Sequence, residues 1–252
     1  MYGHGMAAGL AASLYYAQLA KVRLYVLHLS VMPEGAYEMI RHAKEELGQQ
    51  VYAELEATAM LMPREQAEKI GPRAYWWAYN PDPGWQSIYK GIADTIVVEH
   101  APHSKQEVEA GWKDNFSIPL GITGIQEFVP LMLTQVNKQR LTLEDFVRLA
   151  SENPAKIFGL HPQKGAIQVG SDADFTIVDM NARRVFKAAD MYSKTGFTSW
   201  EGMEIAGMPV HTVIRGYQVA ERGKIIANPG FGKFTTPSHS ASRVGVQGAS
   251  VL

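Results

Sequence analysis

Hydrophobic and polar residues alternate along the first half of the chain in blocks that predict strands and helices in turn. Three short runs are apolar and rich in β-branched or aromatic residues, which is typical of buried strands. Between them lie longer stretches whose apolar residues recur every three or four positions, as on one face of a helix. The predicted strands cover residues 24–30, 51–55 and 95–98, and the predicted helices cover residues 7–20, 34–47 and 64–70. This order predicts parallel βα units.

The pattern changes near residue 165. Up to that point, helices are predicted at residues 125–136, 142–151 and 153–159, a loop at residues 104–124 and an irregular segment at residues 73–87. Beyond Gly165 the apolar runs are short and separated by turns, which predicts a small antiparallel β-layer. Its predicted strands cover residues 166–170, 174–178, 210–215, 217–220 and 225–226.

Composition narrows the classes of function. Of the 252 residues, 46% are hydrophobic, which is enough for a substantial core, and the net charge of −1 gives no basic surface for nucleic acid. Cysteine is absent, so any metal ion must be held by His and carboxylate side chains. Residues 5–20 carry no charge, but their many Ala, Gly, Ser and Gln residues favour a packed helix over a membrane span or signal peptide. The expected location is the cytoplasm.

Two of the predicted strands end in side chains that can bind a metal ion. The run Leu24–Ser30 contains His28, and the run Thr95–Val98 leads directly into Glu99 and then His103. In a βα barrel, the side chains that carry the chemistry project from the carboxyl ends of the parallel strands. We therefore expect His28 and Glu99 to form two walls of one metal site.

Longer strings along the chain resemble a known family. The strings SENPAKIFGL at residues 151–160 and KGAIQVGSDADFTIVD at residues 164–179 are the most specific. Further matching strings lie at residues 24–30, 99–103, 121–134, 200–204 and 213–216. Together they make the chain similar, over roughly residues 7–234, to the cyclic amidohydrolases, a family that includes dihydroorotase, hydantoinase, dihydropyrimidinase and allantoinase.

The resemblance implies a barrel enzyme with one or two divalent metal ions, usually zinc. It implies that His28 is the metal ligand of the sixth strand, and that Glu99 is both the eighth-strand ligand and the general base. His103 matches a His that contacts the substrate carboxylate in dihydroorotases, and Asn80 begins the string that replaces a substrate-binding Asn-Pro-Pro-Leu-Arg segment. The implied reaction is hydrolysis of a C–N bond in a cyclic amide or ureide, with metal-activated water and a carboxylate that moves its proton.

The chain departs from the family pattern in several places. Glu99 replaces an Asp, and a displacement of about 1 Å at a reacting group can cost ~10²-fold in rate. The seventh-strand string reads ELEATAML at residues 54–61 instead of the usual Thr-Pro-His or Cys-Pro-His form, and residues 80–83 lack the family's Arg. No counterpart of strands one to five is recognised, and His4 is the only N-terminal candidate for the His-x-His pair.

We therefore predict an α/β fold made of part of a larger enzyme. Residues 1–163 would form the last three βα units of a partial TIM barrel, and residues 164–234 part of a composite β-sandwich. Residues 235–252 would form a disordered tail. Three parallel strands cannot close a barrel, so the expected partner is a complementary N-terminal half, a paralogue or a second copy of the chain.

Each site residue also has a plainer structural interpretation. His28 could be a core histidine at a strand end, and Glu99 a carboxylate paired with Lys or Arg. His103 could cap a loop, and His100 is expected to be structural. For the whole chain, the alternatives are a catalytically degenerate scaffold or assembly partner, and a gene fragment without independent function.

Overall fold

A computed structural model describes residues 2–71, 80–114, 116–119 and 121–238 of the 252-residue chain. The helices are α1 (Tyr2–Ala20), α2 (Glu34–Glu45), α3 (Ala57–Leu61), α4 (Arg64–Ile70), α5 (Asp82–Tyr89), α6 (Lys105–Glu109), α7 (Ile125–Asn137), α8 (Leu143–Val147) and α9 (Asn153–Ile157). The strands are β1 (Leu24–Val26), β2 (Val51–Glu56), β3 (Thr95–Val97), β4 (Phe175–Val185), β5 (Glu204–Ile214), β6 (Tyr217–Glu221) and β7 (Lys224–Ile225). No helix in these ranges has the length and apolarity needed to cross a bilayer.

The chain divides into two compact units. The first consists of Met1–Phe128 with Val185–Met203, and the second of Val129–Arg184 with Glu204–Leu252. The predicted α/β class, with a parallel sheet followed in the chain by an antiparallel sheet, is confirmed. The predicted domain boundaries after residues 163 and 234 stay predictions.

The first unit is built on a parallel sheet with the order β1-β2-β3. All six residues of the central strand β2 are buried, as expected for a parallel strand covered on both faces. Two of them, Glu54 and Glu56, are carboxylates two positions apart and therefore on the same face of the strand. Because Glu54 is in register with Thr95 of β3, that face continues onto the neighbouring strand.

Helix α2 follows its hydrophobic pattern. Its buried residues recur at helical spacing, and they are Ala36, Tyr37, Ile40 and Ala43. Asp94, just before β3, connects this helix to the sheet, because its Oδ2 accepts hydrogen bonds from Lys44 of α2 and, at 2.7 Å, from the backbone N–H of Ala53 in β2. These bonds fix where β3 begins beside β2.

The first predicted strand, residues 24–30, is too long. Strand β1 ends at Val26, and His28 has left-handed backbone angles with φ of 53°. The segment Leu29–Val31 then forms a 3₁₀ turn. A left-handed residue cannot continue an extended strand, so the apolar run that indicated a strand instead turns away from the sheet edge at His28.

Two segments predicted to lack regular structure contain helices. Of residues 73–87, those at 73–79 lie outside the described residues, but Asp82–Tyr89 is helical and buries Trp85 and Ile88. The predicted loop at residues 104–124 contains α6, whose start is fixed by a capping box between Ser104 and Glu107. Proline in a first helical turn and the Ser-x-x-Glu spacing were the local signals for these two helices.

The second unit contains an antiparallel sheet with the order β4-β5-β6-β7. Strands β4 and β5 are longer than predicted, whereas residues 166–170 form no strand, and Ile167 and Val169 are almost fully exposed. Positive φ angles at Gly165 and Gly170 turn the chain at both ends of this run. Residues 235–238 have no regular secondary structure, and the remainder of the predicted tail lies outside the described residues.

Candidate active site

The carboxyl ends of the three parallel strands meet at one edge of the first sheet. His28 follows β1 by two residues, Glu56 is the last residue of β2, and Glu99 follows β3 by two residues. In parallel βα folds this is the edge where reactive side chains gather. The candidate site therefore has three ionisable side chains from three adjacent strand ends.

His28 is held against β2 by Glu54. The His28 side chain is 21% exposed, its Nδ1 lies 3.6 Å from Oε1 of Glu54, and its backbone N–H donates to the same oxygen at 3.4 Å. The hydroxyl of Tyr25 donates to Oε2 of Glu54 at 2.9 Å and lies 2.7 Å from Oγ1 of Thr95. Burial raises the pKa of Tyr25, so this phenol stays protonated and remains a donor.

Glu56 is completely buried at the end of β2. Its carboxylate accepts the backbone N–H groups of Thr58 at 3.0 Å and Ala59 at 2.6 Å, which caps the start of α3. It also accepts the backbone N–H of Glu99 at 3.4 Å. Burial is the largest influence on this carboxyl group and raises the pKa of Glu56, while the backbone donors oppose that rise.

Glu99 differs from these two carboxylates. Its Oε2 is buried and has no hydrogen-bond partner within the described residues. The plainer structural interpretation of Glu99 was an ion pair with Lys or Arg. The described residues provide no such ion pair. A buried carboxylate oxygen without a donor is costly to a folded protein unless a ligand satisfies it.

Two glycines allow the chain after β3 to fold closely over Glu99. A Cβ on Gly124 would overlap the Val98 side chain and lie 2.6 Å from the backbone oxygen of Glu99. At Gly121 a Cβ would overlap the backbone carbonyl of Ala101. Glycine is therefore required at positions 121 and 124 for this close approach.

His100 has a structural role at the same place. Its Nδ1 accepts the backbone N–H of Gly124 at 3.1 Å and that of Ile125 at 3.4 Å, where α7 begins. These N–H groups at a helix start have no partner within the helix. His100 thus acts as a cap supplied from a distant part of the sequence, in agreement with the expected structural role.

Replacement of His100 by Ala should destabilise the chain by about 1 kcal/mol, because the cap of α7 is lost while water reaches part of the exposed N–H groups. His100→Gln, which keeps an acceptor on a flexible side chain, should recover part of this loss. Urea denaturation followed by circular dichroism measures both. Equal stability of the wild type and the Ala variant would contradict the capping role.

The two predicted substrate residues lie just before helices α5 and α6. His103 is partly buried and immediately precedes Ser104, and it is Ser104 that caps α6. Asn80 is exposed, and its Oδ1 accepts the backbone N–H of Asp82 at 3.1 Å. Substrate contact by His103 and Asn80 stays a prediction.

The structure also reveals a buried carboxylate that sequence reasoning missed. Glu127 in the first turn of α7 is 1% exposed, and its Oε1 accepts the hydroxyls of Thr123 and Thr198, each at 2.9 Å. Its hydrogen bonds run to these two hydroxyls and lead to neither His28 nor Glu99. We therefore assign it to the packing of the unit.

A metal ion fits the donor types at the sheet edge but needs more ligands than these residues provide. Imidazole nitrogen and carboxylate oxygen are both zinc ligands, and the unpartnered oxygen of Glu99 suits a cation. Catalytic zinc sites have three protein ligands as a rule. Within the described residues, no group of three or more His, Asp or Glu side chains is arranged to hold a metal ion.

The chain is similar in sequence to known hydrolases. A profile of the amidohydrolase family matches residues 90–219. The L-hydantoinase of Paenarthrobacter aurescens is 39% identical over 225 residues, which are 86% of this chain and 48% of that protein. The dihydroorotase of Pyrococcus furiosus is 41% identical over 145 residues, which are 58% of this chain and 32% of that protein.

A solved structure agrees with the sequence relatives. The L-hydantoinase (dihydropyrimidinase) structure from Arthrobacter aurescens matches with a TM-score of 0.84 and 36% identity, covering 90% of this chain and 51% of that chain. The chain thus spans about half the length of the hydantoinases it matches. The resemblance inferred from the sequence is confirmed, and the chain belongs to the amidohydrolase family.

Proposed function

We propose that this chain is the carboxyl-terminal part of a metal-dependent hydrolase of cyclic amides or ureides, similar to hydantoinase and dihydroorotase. The observation that carries the proposal is the buried Oε2 of Glu99, which lacks a hydrogen-bond partner within the described residues at the edge where His28 also lies. A divalent cation between imidazole and carboxylate would satisfy this oxygen.

The proposed architecture is a barrel completed from outside the present sequence. Strands β1, β2 and β3 would be its last three βα units, and the antiparallel sheet would be part of a composite sandwich. The coverage of about half of each hydantoinase supports this proposal. The remaining strands would come from a complementary N-terminal half, a paralogue or a second copy, and we place the assembly in the cytoplasm.

The proposed chemistry assigns a task to each predicted residue. His28 and Glu99 would hold zinc together with ligands from the completing segment. When bound, zinc supplies a water molecule of lowered pKa and polarises the ring carbonyl. Glu99 would accept the proton of that water and return it to the leaving ring nitrogen. His103 and Asn80 would contact polar groups of the substrate.

The test is a reconstitution of the barrel. The full chain is mixed with the half of the Paenarthrobacter L-hydantoinase that it does not match, and zinc content is measured by metal analysis. Hydrolysis is assayed with hydantoin, dihydrouracil and dihydroorotate. We expect the mixture to bind zinc and to hydrolyse at least one of these rings faster than the two parts added together.

Each part assayed alone is the control. A mixture that forms a complex by size-exclusion chromatography with light scattering, but neither binds zinc nor hydrolyses any ring, would overturn the proposal. That result would instead support the non-catalytic scaffold.

A further inference from the structure

We propose that the two carboxylates of the central strand are positioning residues: Glu54 holds His28, and Glu56 holds Glu99. This inference rests on the proposed function, because His28 and Glu99 need a fixed geometry only if they share a ligand. Glu54 and Glu56 lie two positions apart on one face of β2, between the two flanking strands. One of them makes its contact toward β1, and the other toward β3.

The hydrogen bonds distinguish positioning carboxylates from a ligand. Both oxygens of Glu54 accept donors, Oε1 from the His28 backbone and Oε2 from the Tyr25 hydroxyl. Both oxygens of Glu56 also accept donors, all of them backbone N–H groups. Glu99, in contrast, has a buried oxygen with no partner within the described part of the chain. Glu54 and Glu56 therefore accept hydrogen bonds from the protein itself at both oxygens, whereas Glu99 has an oxygen available for a ligand.

Glu54 holds the backbone of His28 and lies beside its ring. The backbone N–H of His28 donates to Oε1 at 3.4 Å, and this residue has the left-handed φ of 53°. The ring nitrogen Nδ1 lies 3.6 Å from the same oxygen. A separation of 3.6 Å is longer than a hydrogen bond, so the carboxylate lies beside the ring without fixing its tautomer. Metal-binding histidines are commonly oriented by a nearby carboxylate.

Glu56 fixes the strand end that carries Glu99. Because its side chain is fully buried and joined to the start of α3, it is a rigid acceptor for the Glu99 backbone N–H. Ser30, two residues after His28, also binds Glu56. Its hydroxyl accepts a hydrogen bond from the backbone N–H of Glu56 at 2.9 Å and donates one to the backbone carbonyl of Glu56 at 3.1 Å. The segment after His28 and the segment after β3 are thus both tied to Glu56.

The test compares three isosteric variants of the full chain, Glu54→Gln, Glu56→Gln and Glu127→Gln. In Glu56→Gln an amide NH₂ group must face a backbone N–H donor, and in Glu54→Gln the carboxylate beside His28 becomes a neutral amide, so each contact is weakened at little change in volume. Glu127→Gln is the matched control, because this carboxylate is equally buried but bonds only to hydroxyls that can rotate to accept. The control reports the general effect of replacing a buried carboxyl group by an amide.

The first measurement is made without metal, by nitrogen-15 nuclear magnetic resonance. Glu54→Gln should shift the backbone amide of His28 and its ring nitrogens, and Glu56→Gln should shift the backbone amide of Glu99. Each should leave the other ligand's signals nearly in place, and Glu127→Gln should move neither set. If the two variants do not shift their own residue selectively, the inference is overturned, whatever the zinc affinity is.

The second measurement is zinc titration by calorimetry on the chain mixed with the N-terminal half. Glu54→Gln and Glu56→Gln should each weaken zinc binding about 10- to 100-fold, and Glu127→Gln should do so much less. Equal losses in all three variants would overturn the positioning role. If the wild-type mixture takes up no zinc, the proposed function fails, and the positioning role of Glu54 and Glu56 fails with it. The amide shifts measured without metal still report whether the two carboxylates contact His28 and Glu99.

Discussion

Replacement of Glu99 by Gln should lower hydrolysis by the reconstituted barrel about 10²- to 10⁴-fold, the contribution typical of a positioned acid–base group. The amide keeps the size of the side chain but can neither accept the water proton nor return it to the ring nitrogen. The expected loss is in kcat, measured with the ring that the wild-type mixture hydrolyses best. Zinc content of the variant is measured in the same samples.

Two further variants make this result specific. Glu99→Asp restores the family's residue and keeps a base, so its rate should lie within about 10²-fold of the wild type. Glu68→Gln alters an exposed carboxylate on α4 that pairs with Arg64, and should leave the rate unchanged. Retention of full activity by Glu99→Gln would show that proton transfer depends on another group.

Replacement of Trp200 by Ala should destabilise the first unit by about 3–5 kcal/mol, the range for truncating a large buried aromatic side chain. Trp200 is 0% exposed, and its backbone N–H donates to Oγ1 of Thr198 at 3.3 Å. Thr198 in turn donates to the buried Glu127 at 2.9 Å. Removal of the indole therefore leaves a cavity beside a hydrogen-bonded group. Urea denaturation followed by circular dichroism measures the loss.

Trp200→Phe is the control for this effect. The indole Nε1 is buried without a hydrogen-bond partner in the described part of the chain, so Phe removes an unsatisfied donor while keeping most of the aromatic volume. Its cost should be about 1–2 kcal/mol. A loss below about 1 kcal/mol for Trp200→Ala would mean that this part of the core collapses around the cavity.

Much of the fold could be predicted from the period of its apolar residues. Helix α2 shows why, because its buried residues fall on one face and its charged residues on the other. Strand β2 was found within one residue of its end for a related reason: a short apolar run flanked by turn residues is typical of a buried strand. In both cases a local pattern is enough to identify the element.

Errors arose where backbone geometry or a single cap decides the outcome. The apolar run of β1 continues to residue 30, but the left-handed conformation of His28 ends the strand earlier. Residues 166–170 have a strand-like composition, yet Val169 is fully exposed between two turns and pairs with no strand of the described residues. Composition alone does not indicate whether a neighbouring strand is present.

Only part of the candidate site could be predicted from the sequence. His28 and Glu99 could be chosen because each follows an apolar run at a strand end. In the sequence, Glu54 and Glu56 stand out only as part of a string that departs from the family pattern, although two carboxylates at alternate positions of a buried strand are a signal of their own. Their partners lie 26 and 43 residues away in the chain, and only the folded register brings them together.

The close approach at Gly124 restricts which amino acids this position can hold. Even a methyl group at that position would meet the backbone oxygen of Glu99 at 2.6 Å, and a carbonyl oxygen cannot rotate away as a side chain can. Any other amino acid at position 124 would therefore force the backbone at Glu99 to move, so variants of the neighbouring residues are better made with this glycine kept.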